Sequence, residues 1–226
     1  MTRVCVLIPA FNAADSLGPL IERARPLGHE MLVIDDGSTD DTARVAERAG
    51  ATVLRHASNQ GKGAALRTGF AEALRRGHEL IITLDADGQH DPADIPRFVQ
   101  AALDDPQAAL LIGNRMHEAH RMPFVRRCTN RIMSWWLSRA AGTTVPDTQC
   151  GFRLMRRDFL TRCRLASGRF EIESEMVLEA ARLHAPIRAV PVRSIYGEER
   201  SHIRPCRDTW RFFRMLAGYR RAQRGS

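Results

Sequence analysis

Leu80-Ile-Ile-Thr-Leu84-Asp85-Ala-Asp87-Gly-Gln89-His-Asp91-Pro92 is an apolar run that stops at a cluster of carboxylates and then a proline. A short continuous apolar run bounded by turn residues reads as a strand covered on both faces, here over 80–84. Pro92 opens a helix with Ile95, Phe98, Val99 and Ala102 on one side. Carboxylates at i and i+2 past a strand end can turn toward one hard cation, with Gln89 adding a neutral oxygen. A few protein ligands completed by substrate phosphates is how Mg²⁺ or Mn²⁺ is usually held. An EF-hand is excluded, because the twelfth position counted from Asp85 is Pro96 rather than Glu. A polar turn capping the next helix is the alternative reading. It accounts for Asp91 and leaves Asp85 without a role.

The same grammar repeats outward from this stretch. Apolar runs predict strands over 4–8, 31–34, 52–54 and 110–112, and helical spacing predicts helices over 16–27, 42–49 and 63–76. Thr39 or Asp40 caps the second helix, while Gly50 and Gly77 stop the second and third. Further on come a helix near 124–141, a strand near 152–155, a helix near 174–183, a strand near 187–192 and a basic C-terminal helix. Alternating helices and fully apolar strands predict one α/β domain over 1–226, a mainly parallel sheet covered by helices on both faces. Ligands of such sheets bind beyond the carboxyl ends of the strands. There lie Asn12, Asp35-Asp36, Asp85-Ala86-Asp87 and Asn114-Arg115.

The chain has 226 residues, 44% hydrophobic and 27% charged, ordinary for a globular domain with a proper core. No apolar run approaches the about 18–20 residues of a spanning helix, and the apolar start is too short for a signal segment. Five cysteines, an odd number with no CxxC spacing, argue against a zinc site or a disulfide framework and fit a reducing, cytosolic setting. The net charge of +8 is unevenly spread. Residues 1–113 hold 11 basic and 16 acidic residues, whereas 114–226 hold 23 and 10, a net of +13. A basic second half suits an anionic partner: nucleic acid, a membrane surface or a phosphorylated ligand.

Other motifs supply candidate chemistry. Asp35-Asp36-Gly37-Ser38 closes the second strand, where a carboxylate can accept from ribose hydroxyls or a base, or simply cap a turn. Asn59-Gln-Gly61-Lys62-Gly63 is Gly-rich and precedes a helix, like a phosphate loop. It is not a Walker A, since His56 and Ala64 stand where Gly and Ser/Thr are required. Lys62 is the only lysine among 34 basic residues, which points to a compact ammonium at that position, chance placement being the alternative reading. Arg115 is a candidate phosphate clamp. Glu171, Glu173 and Glu175 share a face if extended and are split by a helix. Arg127 and Arg131 are i, i+4 on one helix, with Ser134 and Ser138 continuing that face and Trp135 and Trp136 adjoining it. In the C-terminal helix Arg207, Arg211, Arg214 and Arg221 form a stripe, with Trp210, Phe213 and Ala217 on another side, which suits an interfacial membrane helix or a terminal helix docked on the domain.

Taken in order, these motifs resemble the family 2 inverting glycosyltransferases of the GT-A fold, in the dolichol/polyprenol-phosphate sugar synthase branch. The resemblance is carried by Ile8-Pro9-Ala-Phe11-Asn12, Asp35-Asp36-Gly-Ser-Thr-Asp, Asn59-x-Gly61-Lys62-Gly63, Asp85-Ala-Asp87-x-Gln89-x-x-Pro92, Gly113-x-Arg115, Asp147-x-x-Cys-Gly151-Phe-Arg153, Phe170-x-x-Glu173 and Tyr196-Gly197-Glu198. Two positions depart from the branch. Ala13 stands where it usually has Glu, and Ser201-His202, after two extra residues, stand where its Tyr-Gly motif ends in Ser-Lys.

The resemblance implies that Pro9, Phe11 and Asp36 contact the nucleoside of a UDP- or GDP-linked sugar. Asp85 and Asp87, with Gln89, would hold Mg²⁺ or Mn²⁺ and the diphosphate, and Arg115 and Arg193 would face the phosphates. Lys62 and Ala86 complete the donor site. Asp87, Arg115, Asp147 and Glu173 are the catalytic candidates, and Arg127 and Arg131 the acceptor-phosphate candidates. On this reading residues 1–113 bind donor, 114–204 bind acceptor and 205–226 meet the membrane, at the inner face of the cytoplasmic membrane. The acceptor is a polyprenyl phosphate or, alternatively, a hydroxyl served by Asp147, Glu173 or Glu175 as base. A nucleic-acid-binding role lacks any helix-turn-helix, zinc-finger or RNP signature, and no nucleic acid is expected as a partner.

Overall fold

The computed structural model describes residues 2–122, 124–193 and 195. The C-terminal helix expected over 205–226, the Tyr196-Gly197-Glu198 motif and Ser201-His202 lie outside the described residues.

Seven strands form one sheet: β1 Val4–Ala10, β2 Glu30–Asp35, β3 Thr52–Arg55, β4 Leu80–Thr83, β5 Leu110–Asn114, β6 Arg153–Arg156 and β7 Ile187–Pro191. Their order is β3-β2-β1-β4-β6-β5-β7. All pairings are parallel except those of β6, which runs against both β4 and β5. Successive side chains of a strand point to opposite faces, and those of β4 are all buried, so both faces are covered. The edge strands β3 and β7 are the exposed ones.

Helices α1 Ala14–Ala24, α2 Thr42–Arg48, α3 Lys62–Arg75 and α4 Ile95–Asp104 connect the parallel strands, followed by α5 Phe124–Ala141, α6 Arg157–Arg162 and α7 Glu171–Arg182. Four sequence expectations shift. The first helix ends at Ala24 and continues as a 3₁₀ turn over Arg25–Leu27, because Pro26 supplies no N–H for a further α turn. Helix α7 begins at Glu171, three residues before the expected start, and so contains all three glutamates. α6 was not anticipated; six residues are too few to show a helical period. The N-cap of the second helix is Asp41 and not Thr39 or Asp40, and its side chain makes no capping bond; Asp40, one residue earlier, accepts from Thr42 N at 3.0 Å.

The reversal of β6 positions the site. Its first residue, Arg153, pairs with Thr83 near the end of β4 and with Ile112 near the end of β5. The loop entering β6, 142–152, is thereby delivered to the carboxyl ends of its neighbours. Thr83 Oγ1 donates to Gly151 O at 2.7 Å and Gly113 N to Phe152 O at 2.8 Å, which pins the loop there.

The loop over 164–170 is held against α3 in a similar way. Gly63 N donates to Gly168 O at 3.0 Å, and Glu175 accepts from Ala166 N and Ser167 N at 3.0 and 2.9 Å. A Cβ on Gly63 would overlap Ser167 O and lie 2.7 Å from the Gly168 carbonyl carbon. Gly63→Ala is therefore expected to cost about 2 kcal/mol by forcing apart two packed backbones. Urea unfolding measures it, and a midpoint equal to wild type would contradict the packing.

Candidate active site

The carboxyl ends of β1 and β2 are laced into one surface. Asn12, in the left-handed region at φ 50, donates its N–H to Ser38 Oγ at 2.9 Å and accepts from Thr39 N at 2.9 Å. Asp35, fully buried, accepts from Ser38 N at 2.9 Å and pairs with Arg55 Nε at 3.1 Å. Pro9 is half-buried at the base of this surface and the Phe11 side chain is exposed beside it.

Asp36 is committed elsewhere. Its carboxylate accepts from Gln60 N at 3.0 Å and Gly61 N at 2.7 Å, and His56 Nδ1 lies 2.7 Å away. The amides of Gly63 and Ala64 donate to Gly168 O. The backbone N–H groups that a phosphate loop would turn toward its ligand are thus spent on Asp36 and Gly168. The likeness of Asn59–Gly63 to a phosphate loop does not survive. What the segment presents to the site is the Lys62 side chain.

Lys62 Nζ lies 2.5 Å from Asp85 Oδ1 and 2.5 Å from Glu173 Oε1, joining α3, the end of β4 and α7. Burial disfavours the ammonium, but Asp85 and then Glu173 outweigh it and raise the Lys62 pKa. Burial likewise opposes ionisation of Asp85, yet Lys62 and then His90 hold its carboxyl far below the usual carboxylate range. The Asp85 carboxylate rests directly on Gly151, where a Cβ would stand 2.6 Å from Oδ1. Ala86 is buried and its carbonyl accepts from Ser16 Oγ at 2.6 Å. Asp87, half-buried, accepts from Gln89 N at 3.0 Å, and the Gln89 carbonyl accepts from Ile195 N at 3.0 Å.

On the other side of β6, Asp147 is fully buried. Arg115 grips it with a fork, Nε to Oδ2 at 2.7 Å and a second N–H to Oδ1 at 2.9 Å, and Asn130 Nδ2 donates to Oδ1 at 2.8 Å. Burial raises the Asp147 pKa, but the Arg115 bonds outweigh it and hold the carboxyl below its ordinary range. As arranged here Arg115 serves Asp147, and Asp147 orders the loop after α5. Arg193 donates its N–H to Asp94 Oδ2 at 2.8 Å, and its guanidinium lies 3.5 Å from Asp94 and 3.6 Å from Asp91.

The three glutamates part company because α7 contains them. Glu173 faces Lys62, while Glu175 ties down the loop before α7. On α5, Arg127 lies over the Phe124 ring at 5.4 Å and Arg131 is exposed. The Ser134 and Ser138 hydroxyls do not continue that outward face. Ser134 is buried and accepts from Thr148 N at 3.0 Å, and Ser138 accepts from Val145 N at 2.9 Å. Trp136 packs against the core, whereas Trp135 is exposed with Ile132, Val125 and Phe124.

Sequence reasoning missed two residues here. His90 is buried with Nε2 3.6 Å from Asp85 Oδ2, its ring edge-on to Phe152. Asn130 is the first of an inward polar stripe, buried Asn130 and Ser134 and half-buried Ser138, spaced by four along α5. That spacing was the available signal, a polar line on the packed side of a helix.

The fold is shared with a solved GT-A glycosyltransferase. Glucosyl-3-phosphoglycerate synthase from Mycobacterium tuberculosis, in complex with Mn²⁺ and UDP-glucose, superimposes with a TM-score of 0.78 at 23% identity over 96% of this chain and 79% of that one. Residues 5–163 match the glycosyl transferase family 2, and the chain belongs to that family. Among its relatives, the undecaprenyl-phosphate mannosyltransferase of Micrococcus luteus is 32% identical over 211 residues, 87% of this chain and 85% of that protein. The UDP-N-acetylglucosamine–dolichyl-phosphate N-acetylglucosaminyltransferase of Methanococcus voltae is 26% identical over 218 residues, 86% of each. The chain is therefore a glycosyltransferase.

Proposed function

We propose that this glycosyltransferase is metal-dependent and inverting, and moves a sugar from a UDP- or GDP-linked donor onto a polyprenyl phosphate at the inner face of the cytoplasmic membrane. The observation that carries the reading is the prior commitment of all three candidate bases: Asp147 to Arg115, Glu173 to Lys62, and Glu175 to the amides of Ala166 and Ser167. A hydroxyl acceptor must lose a proton as it attacks and needs a positioned base. A phosphate monoester, with a second pKa of about 6, is already largely dianionic at neutral pH and needs cations instead. Arg127 and Arg131 on α5, beside the exposed Ile132 and Trp135, suit a phosphate carried on an apolar chain. The names of the relatives in Micrococcus and Methanococcus support the same class of acceptor.

Asp85 and Asp87 fit Mg²⁺ or Mn²⁺ in the manner of a cation shared with a diphosphate. Among the described residues no group of three His, Cys, Asp or Glu side chains gathers to cage a metal. The protein offers ionised oxygen ligands at one point, and the donor would complete the shell. Bound there, the ion would neutralise charge on the departing diphosphate. The acceptor oxygen attacks the anomeric carbon from the face opposite the diphosphate, inverting that centre. Pro9 and Phe11 would meet the nucleoside, and Arg193 lies at the Asp91–Asp94 side of the metal motif. Among the described residues no helix is long and apolar enough to cross a membrane. Contact with the bilayer is assigned to the basic C-terminal segment.

The test is radiolabelled sugar transfer to polyprenyl phosphate in detergent, with a panel of UDP- and GDP-sugars. Arg127→Ala/Arg131→Ala is expected to lower kcat/KM for the lipid phosphate by about 10–100-fold, the loss of one charge-assisted contact or more. Donor affinity stays at the wild-type value. Transfer confined to water-soluble hydroxyl acceptors across the panel would overturn the acceptor assignment.

A further inference from the structure

Two arginines beside the site are fixed. Arg115 is forked onto Asp147, and Arg153 is held by the carbonyls of Thr148, Cys150 and Glu173. Lys62 is held differently. Its ammonium meets two carboxylates at 2.5 Å each, with the Phe170 ring centroid 5.5 Å away near the surface. Its backbone begins α3, anchored through Gly63 and Ala64 on Gly168, while a four-carbon stem leaves the ammonium free to travel. The Asp85 carboxylate packs against Gly151.

We propose that Lys62 is a resident counter-ion: it occupies the cation position on Asp85 while the donor is absent, and so makes divalent-metal binding depend on the nucleotide diphosphate. The inference rests on the metal reading given above. Asp85, Glu173 and Lys62 together carry a charge of −1, and a divalent ion entering beside the ammonium meets a like charge at close range. A diphosphate brings its own negative charge and offers the ammonium a new partner. Lys62 then turns to the phosphates, keeping its contact with Glu173, and releases the Asp85 oxygen. Metal and nucleotide thereby bind with positive coupling, each raising the affinity for the other by one and the same factor.

The full chain is titrated with Mn²⁺ alone, then with UDP or GDP present, and free Mn²⁺ is read from its aqueous electron paramagnetic resonance signal. Wild type is expected to bind Mn²⁺ weakly alone and about tenfold or more tighter with nucleotide. Lys62→Met and Lys62→Gln are expected to bind Mn²⁺ alone about tenfold more tightly than wild type, with the nucleotide effect reduced to match. Lys62→Arg, which keeps a cation, stays weak. Adding Asp85→Asn to Lys62→Met removes the gain and so locates the ion. If wild type shows nucleotide-dependent binding that Asp85→Asn abolishes, yet the folded Lys62→Met and Lys62→Gln variants bind Mn²⁺ alone no better than wild type, the counter-ion role is overturned and the metal reading stands. If wild type binds no Mn²⁺ with either nucleotide, both are overturned.

Discussion

Asp87→Asn is expected to lower sugar transfer by about a thousandfold, equivalent to about 4 kcal/mol of transition-state stabilisation. The substitution keeps the shape and removes the charge. Asp87 is half-buried, and its contact with Gln89 N is one that an asparagine oxygen can also make. The fold is therefore expected to survive, with a melting temperature in the absence of nucleotide close to wild type. Isothermal titration with UDP and GDP, with and without Mn²⁺, separates the two effects. In the variant, diphosphate affinity no longer rises when metal is added. Unchanged metal-dependent affinity together with unchanged turnover would remove Asp87 from the metal site.

Arg153→Leu is expected to destabilise the protein by about 4 kcal/mol, the largest stability effect anticipated for a single side chain here. Arg153 is fully buried and donates to Cys150 O at 2.9 Å, to Glu173 O at 2.5 Å and to Thr148 O at 2.7 Å. Leucine removes all three bonds; Glu173 O keeps the amide of the next helical turn, whereas the buried carbonyls of Thr148 and Cys150 lose their Arg153 donor at about 1–3 kcal/mol each. Relief of the buried charge offsets part of that, since burial alone already lowers the Arg153 pKa. Arg153→Lys restores the charge but not a fork that reaches three separate carbonyls, so it is expected to recover less than half of the loss. Urea denaturation of both variants decides the matter. A Leu variant within about 1 kcal/mol of wild type would show that these carbonyls find other donors. Because Arg153 also fixes the backbone of Glu173, its loss loosens the partner of Lys62.

Where the sequence was legible, the cause was local. The strand ending at Asp85 and that ending at Asp35 could be read because an apolar run and its boundary lie within a few consecutive residues. The ordered motifs likewise placed the chain in its family. The reading of Glu171, Glu173 and Glu175 stayed divided because alternation at i, i+2 fits a strand face, whereas the helix start depends on how the preceding loop packs. That loop is fixed by Gly63 and Glu175, residues more than a hundred positions apart in the chain.

By itself the sequence determined an α/β sheet with its acidic turns at the carboxyl ends of strands, because burial periodicity and chain-stopping residues are properties of short segments. Tertiary structure alone decided the direction of β6, since a strand buried on both faces has no periodic mark of which way it runs. From that reversal follows the delivery of Gly151 beneath Asp85 and of Asp147 to Arg115. Tertiary structure also decided that Asp36 would hold the glycine-rich segment and that Lys62 would lie between Asp85 and Glu173. A side chain chooses its partner by proximity in space, and the distance along the chain between Lys62 and Glu173 carries no information about that proximity.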